Sequence, residues 1–109
     1  MTYHIALTAL ADPTRRAVFE RLRNGPASVG DIAADLPVSR PAVSQHLKLL
    51  KNARLVRDQA DGARRLYEVD LNGLAELRAW LDRFWSEALN SFKGEVERST
   101  RSRRRKKTQ

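Results

Sequence analysis

The stretch LPVSRPAVSQHLKLLKN, residues 36–52, predicts a helix with two different faces. Its apolar side chains recur at helical spacing and are Val38, Val43, Leu47 and Leu50. Hydrogen-bonding and basic side chains share another face and are Arg40, Ser44, Gln45 and Lys48. No acidic residue lies between Leu36 and Arg57, although a helix face turned only to water usually accepts Glu as readily as Lys. The polar face is therefore predicted to contact something other than water.

The residues before this helix predict three shorter helices, over residues 3–11, from residue 13 to about residue 23, and over residues 29–35. Asp12, Ser28 and Ser39 are in position to serve as N-caps. Asp31 lies three residues after Ser28, which predicts a capping box with Asp in place of Glu. The third helix and the helix of residues 40–51 are thus expected to stand in tandem, joined by a short turn.

The residues after this helix predict one hairpin and one long helix. Two short extended runs flank Ala60–Gly62, and Asp-Gly between such runs favours a hairpin. Helical periodicity returns at Leu71 and fades near Val96. The predicted order is α-α-α-α-β-β-α, mainly helical with a small hairpin, which is the order of a winged helix-turn-helix. In that motif a helix enters the major groove of DNA, so the polar face of residues 40–48 is predicted to read it.

The charge of the chain is concentrated at its end. The 109 residues include 21 Lys and Arg and 13 Asp and Glu, a formal net charge of +8. Residues 98–109, RSTRSRRRKKTQ, hold seven of the basic residues and none of the acids, so residues 1–97 are nearly neutral. We expect one small domain over residues 1–97 and a disordered basic tail over residues 98–109. The tail is either a solvated, solubilising segment or a non-specific contact for phosphates.

The sequence gives little support to a redox, membrane or catalytic protein. It has no cysteine, which excludes disulfides and thiolate metal sites. The apolar run Ile5–Ala11 is too short to span a bilayer. There is no Ser-His-Asp order, phosphate-binding glycine loop or metal cluster. We expect a cytoplasmic, nucleoid-associated protein that is not an enzyme and uses no cofactor.

Three motifs in order, DPTRR from Asp12, SQHLKLL from Ser44 and DGARRLY from Asp61, resemble the ArsR/SmtB type of bacterial winged-helix transcriptional repressors. The resemblance extends from Leu7 to Phe92. It implies a homodimer that represses transcription by binding double-stranded DNA at a palindromic operator. In many members of the family a metal ion releases the DNA.

The metal-sensing residues of that family are missing from this sequence. Arsenic-type sensors place Cys-x-Cys where this chain has Ser28 and Gly30. Zinc and nickel sensors use Asp and His pairs in the last helix, whereas His4 and His46 both precede it. The chain therefore resembles a thiol-free member without metal sensing, and we expect no functional metal site.

The expected DNA contacts come from the reading helix and the hairpin. They are Ser39, Arg40, Pro41, Ser44, Gln45, His46, Lys48, Arg64 and Arg65. Arg and Gln can each pair with a base, worth about 1 to 3 kcal/mol of discrimination, although Arg40 could instead anchor the backbone. His46 is expected either to contact DNA or to brace the helices. One of Arg64 and Arg65 is expected to reach DNA while the other stays solvated, unless both only discourage edge pairing.

The resemblance implies dimerisation through the first and last helices, in the segments Tyr3–Leu10 and Leu74–Phe92. The expected interface residues are Tyr3, Ile5, Ala6, Leu10, Leu77, Leu81, Phe84, Trp85 and Leu89. An aromatic row that includes Trp80 and Phe84 is typical of core or dimer packing, but it could also line a pocket for a small-molecule inducer of unknown identity.

The sequence therefore predicts a sequence-specific DNA-binding regulator, a repressor that acts as a homodimer without a metal. The alternative is a basic architectural protein that coats DNA with little preference for sequence.

Overall fold

The computed structural model describes residues 3–107, with side chains described to Arg103. The elements, in chain order, are α1 (Tyr3–Ala11), α2 (Pro13–Arg21), a 3-10 turn (Leu22–Asn24), α3 (Val29–Asp35), α4 (Arg40–Asn52), β1 (Val56–Asp61), β2 (Arg64–Val69) and α5 (Leu71–Lys107). The predicted order of a winged helix-turn-helix is confirmed.

Side-chain caps determine where the short helices begin. The Asp12 carboxylate accepts a hydrogen bond from the N–H of Thr14 at 3.3 Å. Ser28 Oγ accepts from the N–H of Asp31 at 3.1 Å, and the Asp31 carboxylate accepts from the N–H of Ser28 at 3.3 Å. Ser39 Oγ accepts a bond at 3.3 Å from a backbone N–H in the first turn of α4. All three predicted caps are confirmed, and each contributes about 1 kcal/mol.

The hydrophobic core joins α2, α3, α4 and the start of the hairpin. Its largest fully buried side chains are Val18, Ile32, Val43, Leu47, Leu50, Leu55 and Val56. Three of them belong to α4 and form the apolar face that the sequence predicts. Each fully buried aliphatic side chain stabilises the fold by about 1.5 to 3 kcal/mol, so α4 is held in one rotational setting.

The hairpin is antiparallel, with Val56 opposite Val69 and Asp61 opposite Arg64. Its loop is residues 62–63, shorter than the predicted Ala60–Gly62, because β1 stays paired through Asp61. Gly62 has a φ of 61°, in the left-handed region where glycine has no steric cost.

A short backbone bridge ties this hairpin to the chain before α3. The N–H of Ala27 donates to the carbonyl of Tyr67 at 3.0 Å, and the N–H of Tyr67 donates back at 2.8 Å. The position of the hairpin relative to α3 is therefore fixed by hydrogen bonds.

The start of α5 lies against the turn that follows α4. The Asp70 carboxylate accepts a bond from the N–H of Gly73 at 3.3 Å and so caps the helix. Gly73 is buried, and a Cβ on it would overlap the carbonyl oxygen of Arg54. Arg54 has a φ of 62°, the one non-glycine residue with positive φ in the described part of the chain. This contact leaves no room for a side chain at position 73.

The helix α5 is longer than the sequence predicts, since it continues past Val96 to Lys107, and the described chain forms two compact units that divide after Leu77. Residues 98–107 continue the helix, where the sequence predicts a disordered tail; residues 108 and 109 lie outside the described residues. Arg and Lys are good helix formers, and positive charge is favourable near a helix C-terminus. Arg98 also pairs with Glu95 at 2.6 Å, one turn earlier.

Candidate nucleic-acid interface

The outward face of α4 carries the side chains expected to read DNA. Pro41, Ser44, Gln45 and Lys48 are all exposed, and the opposite face of the helix is buried. Since that buried face fixes the rotation of α4, these four side chains point away from the core together. The helix has 13 residues, about 20 Å of length, which suits insertion into the major groove.

The N-terminal end of α4 is packed against α3. Ser39 is exposed, and its Oγ is used by the helix cap. The Arg40 guanidinium lies over Gly30, with Nη2 3.3 Å from the place that a Cβ on Gly30 would take. Arg40 also lines a cavity of about 470 Å³ together with Arg64 and Arg65. The fold therefore brings three of the expected DNA contacts to one surface.

His46 is turned toward α2 rather than outward. Its Nδ1 is buried and has no hydrogen-bond partner among the described residues. The nearest carboxylate oxygen is Asp12 Oδ2, 3.8 Å away, which is too long for a hydrogen bond. Of the two roles expected for His46, this geometry favours bracing α4 against the start of α2.

Both arginines of the hairpin are partly exposed and both have acidic partners. Arg64 lies 3.8 Å from Asp31 and 3.4 Å from Asp61. Arg65 donates to Asp58 at 3.0 Å. Both side chains are more than half exposed, so pairing with carboxylates leaves each of them accessible, and the expectation that one arginine reaches DNA while the other stays solvated remains a prediction.

Two residues that organise this surface, Lys51 and Asp58, are not predicted from the sequence. The Lys51 ammonium, in the last turn of α4, lies 2.7 Å from Asp58 Oδ1 on β1. The hydrogen bond from Lys51 lowers the pKa of the Asp58 carboxyl, and the bond from Arg65 adds to this, while burial opposes both. The sequence shows only that Asp58 is the first acidic residue after a basic helix. That Asp58 pairs with Lys51 becomes visible only in the folded chain.

The low pKa of Asp58 predicts a specific loss of stability in acid. A carboxyl whose folded-state pKa lies below its ordinary value of 3.8 stabilises the fold above that value, and this contribution disappears as pH falls through the folded-state pKa. The melting temperature of the wild-type protein should therefore decrease as the pH is lowered below about 4. The melting temperature of Asp58→Asn should decrease less over the same pH range. Melting curves at a series of pH values measure this. Asp82→Asn, which removes an exposed carboxylate on α5, is the control, and equal slopes for all three proteins would contradict the prediction.

The expected dimer residues differ in what they present at the surface. Ala6 is buried in the core of its own chain and offers no free surface, so it is removed from the interface. Tyr3, Leu10 and Leu77 are half-buried. Exposed apolar side chains on these two segments include Ile5, Leu81, Phe84, Trp85 and Leu89. Trp80 stacks on Phe84, with ring centroids 5.9 Å apart.

Within the described residues, no three His, Cys, Asp or Glu side chains lie close enough together to hold a metal ion. None of the helices between residues 3 and 107 has the length and apolar character needed to cross a membrane.

A helix-turn-helix whose second helix has an outward, acid-free face, next to a hairpin with exposed arginines, defines the class of winged helix-turn-helix DNA-binding regulators. Residues 12–58 match the family described as "Bacterial regulatory protein, arsR family".

The chain is similar to curated regulators over most of its length. It is 63% identical over 87 residues to HTH-type transcriptional regulator Rv2034 of Mycobacterium tuberculosis, covering 80% of this chain and 81% of that protein. It is 33% identical over 84 residues to Transcriptional repressor SdpR of Bacillus subtilis, covering 77% and 93% of the two chains. The chain belongs to the arsR family, and the predicted class, a transcriptional regulator rather than an enzyme, is confirmed.

A solved structure shares the fold. The homodimeric winged helix-turn-helix DNA-binding domain of Mb0332 from Mycobacterium bovis matches with a TM-score of 0.64 and 26% identity, covering 81% of this chain and 82% of that one.

Proposed function

We propose that this protein is a sequence-specific repressor that binds a palindromic double-stranded DNA operator as a homodimer in the cytoplasm. The observation that carries the proposal is the face of α4, where Ser44, Gln45 and Lys48 are exposed together and no acid interrupts them. The relative SdpR is named a transcriptional repressor, which supports repression over activation.

The homodimer has two kinds of support. The Mb0332 domain, which has the same fold, is homodimeric. The chain itself has exposed apolar side chains along α5, including Trp85 at 63% exposure, and exposed patches of this kind mark interfaces. Two copies related by a twofold axis would place two reading helices about 34 Å apart, one turn of DNA.

We also propose that DNA binding does not depend on a metal ion. Ser28 and Gly30 stand where the resemblance places the thiolates of arsenic sensors. The Ser28 hydroxyl is used by the cap of α3, and Gly30 makes room for Arg40. Both positions therefore have structural roles that a pair of thiolates would disturb.

The test of the proposal compares two neighbouring side chains of α4. Gln45→Ala should cost about 1 to 3 kcal/mol on the operator and relax the preference at one position per half-site, because Gln can pair with a base. Lys48→Ala should weaken binding to operator and scrambled DNA alike and lower the salt slope by about one per subunit, because Lys48 is proposed to contact phosphate. The operator is first obtained by selecting bound DNA from a random pool, and each variant is then titrated on both DNAs across a salt series.

The outcome separates the repressor from the architectural alternative. A selected palindrome with a Gln45 effect confined to the operator supports the repressor. Equal losses on both DNAs for Gln45→Ala, together with no sequence enriched from the pool, would favour a basic protein that coats DNA.

A further inference from the structure

A carboxylate and two cations meet between the end of α4 and the hairpin. Asp58 Oδ1 is 2.7 Å from the Lys51 ammonium, and Asp58 Oδ2 is 3.0 Å from Arg65 Nη1. Arg65 is opposite Ala60 in the hairpin, so Asp58 and Arg65 form a diagonal pair on one face. Each carboxylate oxygen thus holds one cation, and the three groups come from α4, β1 and β2.

The exposure of these three groups is uneven. The Asp58 side chain is 9% exposed, whereas the Lys51 and Arg65 side chains are 55% and 54% exposed. A lysine has three N–H donors and an arginine has five, so one bond from each to Asp58 leaves further donors on both. The largely covered Asp58 carboxylate offsets the mutual repulsion of the two cations, while the side chain of each cation keeps more than half of its surface exposed.

The net charge of this group distinguishes it from the other arginine pairs of the hairpin. Arg57 pairs with the single carboxylate of Glu68 at 2.8 Å, which is a neutral pair. Arg64 lies between the two carboxylates of Asp31 and Asp61, which is a net negative group. Lys51 and Arg65 share one carboxylate, so their group keeps one positive charge and is preorganised for an anion.

We propose that Lys51 and Arg65, held in place by Asp58, form a site for one phosphate of the DNA backbone, shared between the two cations. The inference rests on the proposed function, since it assumes that α4 and the hairpin face DNA. In this site Asp58 is a positioning residue that never touches the phosphate. The site would fix the hairpin and the end of the reading helix to the same point of the backbone.

Asp58→Asn and Glu68→Gln form a matched pair of variants that tests the site. Each removes one negative charge from the hairpin and breaks one cross-strand pair with an arginine. Simple electrostatics expects both to bind DNA more tightly, because each makes the protein more positive. The proposed site instead expects Asp58→Asn to bind operator and scrambled DNA about three- to tenfold more weakly, the net value of one or two hydrogen bonds, and Glu68→Gln to bind no more weakly than wild type. Affinity for Asp58→Asn equal to or tighter than wild type would overturn the proposal.

Variants of the two exposed cations test the site independently of how well Asp58→Asn folds. Lys51→Gln and Arg65→Gln should each weaken binding to both DNAs. Because one phosphate is shared, the double variant should lower the salt slope by about one per protomer. A decrease of about two would show two separate phosphates and would refute the shared site.

Inorganic phosphate, titrated into the DNA-free protein, separates a DNA phosphate from a free anion. Saturable binding of phosphate that leaves operator affinity unchanged would assign the site to a free anion instead of DNA, whereas competition with operator supports a DNA phosphate at the same two cations. If the proposed function fails, no sequence is enriched from the random pool and Gln45→Ala has no operator-specific effect. In that case the comparison of Asp58→Asn with Glu68→Gln on scrambled DNA still tests the phosphate site.

Discussion

Gly73→Ala should lower the free energy of unfolding by about 3 kcal/mol or more, although alanine is the better helix former. The gain in helix propensity is only about 1 kcal/mol. The added methyl group would clash with the carbonyl oxygen of Arg54. This oxygen belongs to the backbone of the turn after α4, so it cannot rotate away as a side chain would. Relief requires the start of α5 to move, and Leu74 and Leu77 of that segment pack on the core.

The same helix supplies the control for this substitution. Gly94 also lies inside α5, but the nearest atom to its added Cβ is Arg98 Nη1 at 3.6 Å, an ordinary contact with a flexible side chain. Gly94→Ala should therefore leave stability unchanged or raise it by up to about 1 kcal/mol. Melting temperatures measure both effects, with a decrease of about 10 °C or more expected for Gly73→Ala. Similar melting temperatures for the two variants would show that the turn yields to the methyl group.

The features that the sequence predicts well are local ones. The N-caps at Asp12, Ser28 and Ser39 depend on hydrogen bonds over two or three residues, so their signals lie within the same few letters. The two faces of α4 depend on the 3.6-residue period and were equally readable. These local signals give the order of elements, and the exposed face of α4 follows from that order.

The features that the sequence does not predict join residues that are distant along the chain. In the sequence Gly73 does not differ from any other glycine near the start of a helix. Only the folded chain shows that the backbone of Arg54 occupies the space that a Cβ at position 73 would need. Lys51 and Asp58 are on different elements, and only the path of the chain after α4 brings them together. The direction of His46 is a third example, since its spacing on α4 fits either a bracing or a DNA-contact role.

The C-terminal end of α5 is also not predicted from the sequence, for a different reason. Composition indicates that residues 98–107 cannot bury apolar surface, and such a segment is expected to be disordered. A helix that is already formed needs no new nucleus to continue, and Arg and Lys propagate it well. Composition therefore identifies where the apolar face ends but not where the helix ends.

That apolar face makes α5 the place to break the proposed dimer. Apolar side chains recur every three or four residues, at Leu81, Trp85, Ala88, Phe92 and Val96, and all are exposed. Ser99 and Arg103 take the next positions, so the apolar face ends after Val96. A protomer with this surface uncovered exposes large side chains such as Phe92, at 68% exposure. Pairing with a second copy would cover them.

Leu81→Glu combined with Trp85→Glu should convert the dimer into a monomer at micromolar concentration, because burying two new carboxylates at an interface costs several kcal/mol for each ion. Operator affinity should then fall by about 100-fold or more, since each protomer binds only one half-site and the gain from linked binding is lost. Arg83→Glu introduces the same residue on the opposite side of α5 and should leave both the dimer and the affinity nearly unchanged. Light scattering gives the mass of each variant, circular dichroism confirms that the helices persist, and titration with operator gives the affinity. A dimer that survives the double substitution would place the interface elsewhere and leave this face of α5 without the role proposed for it.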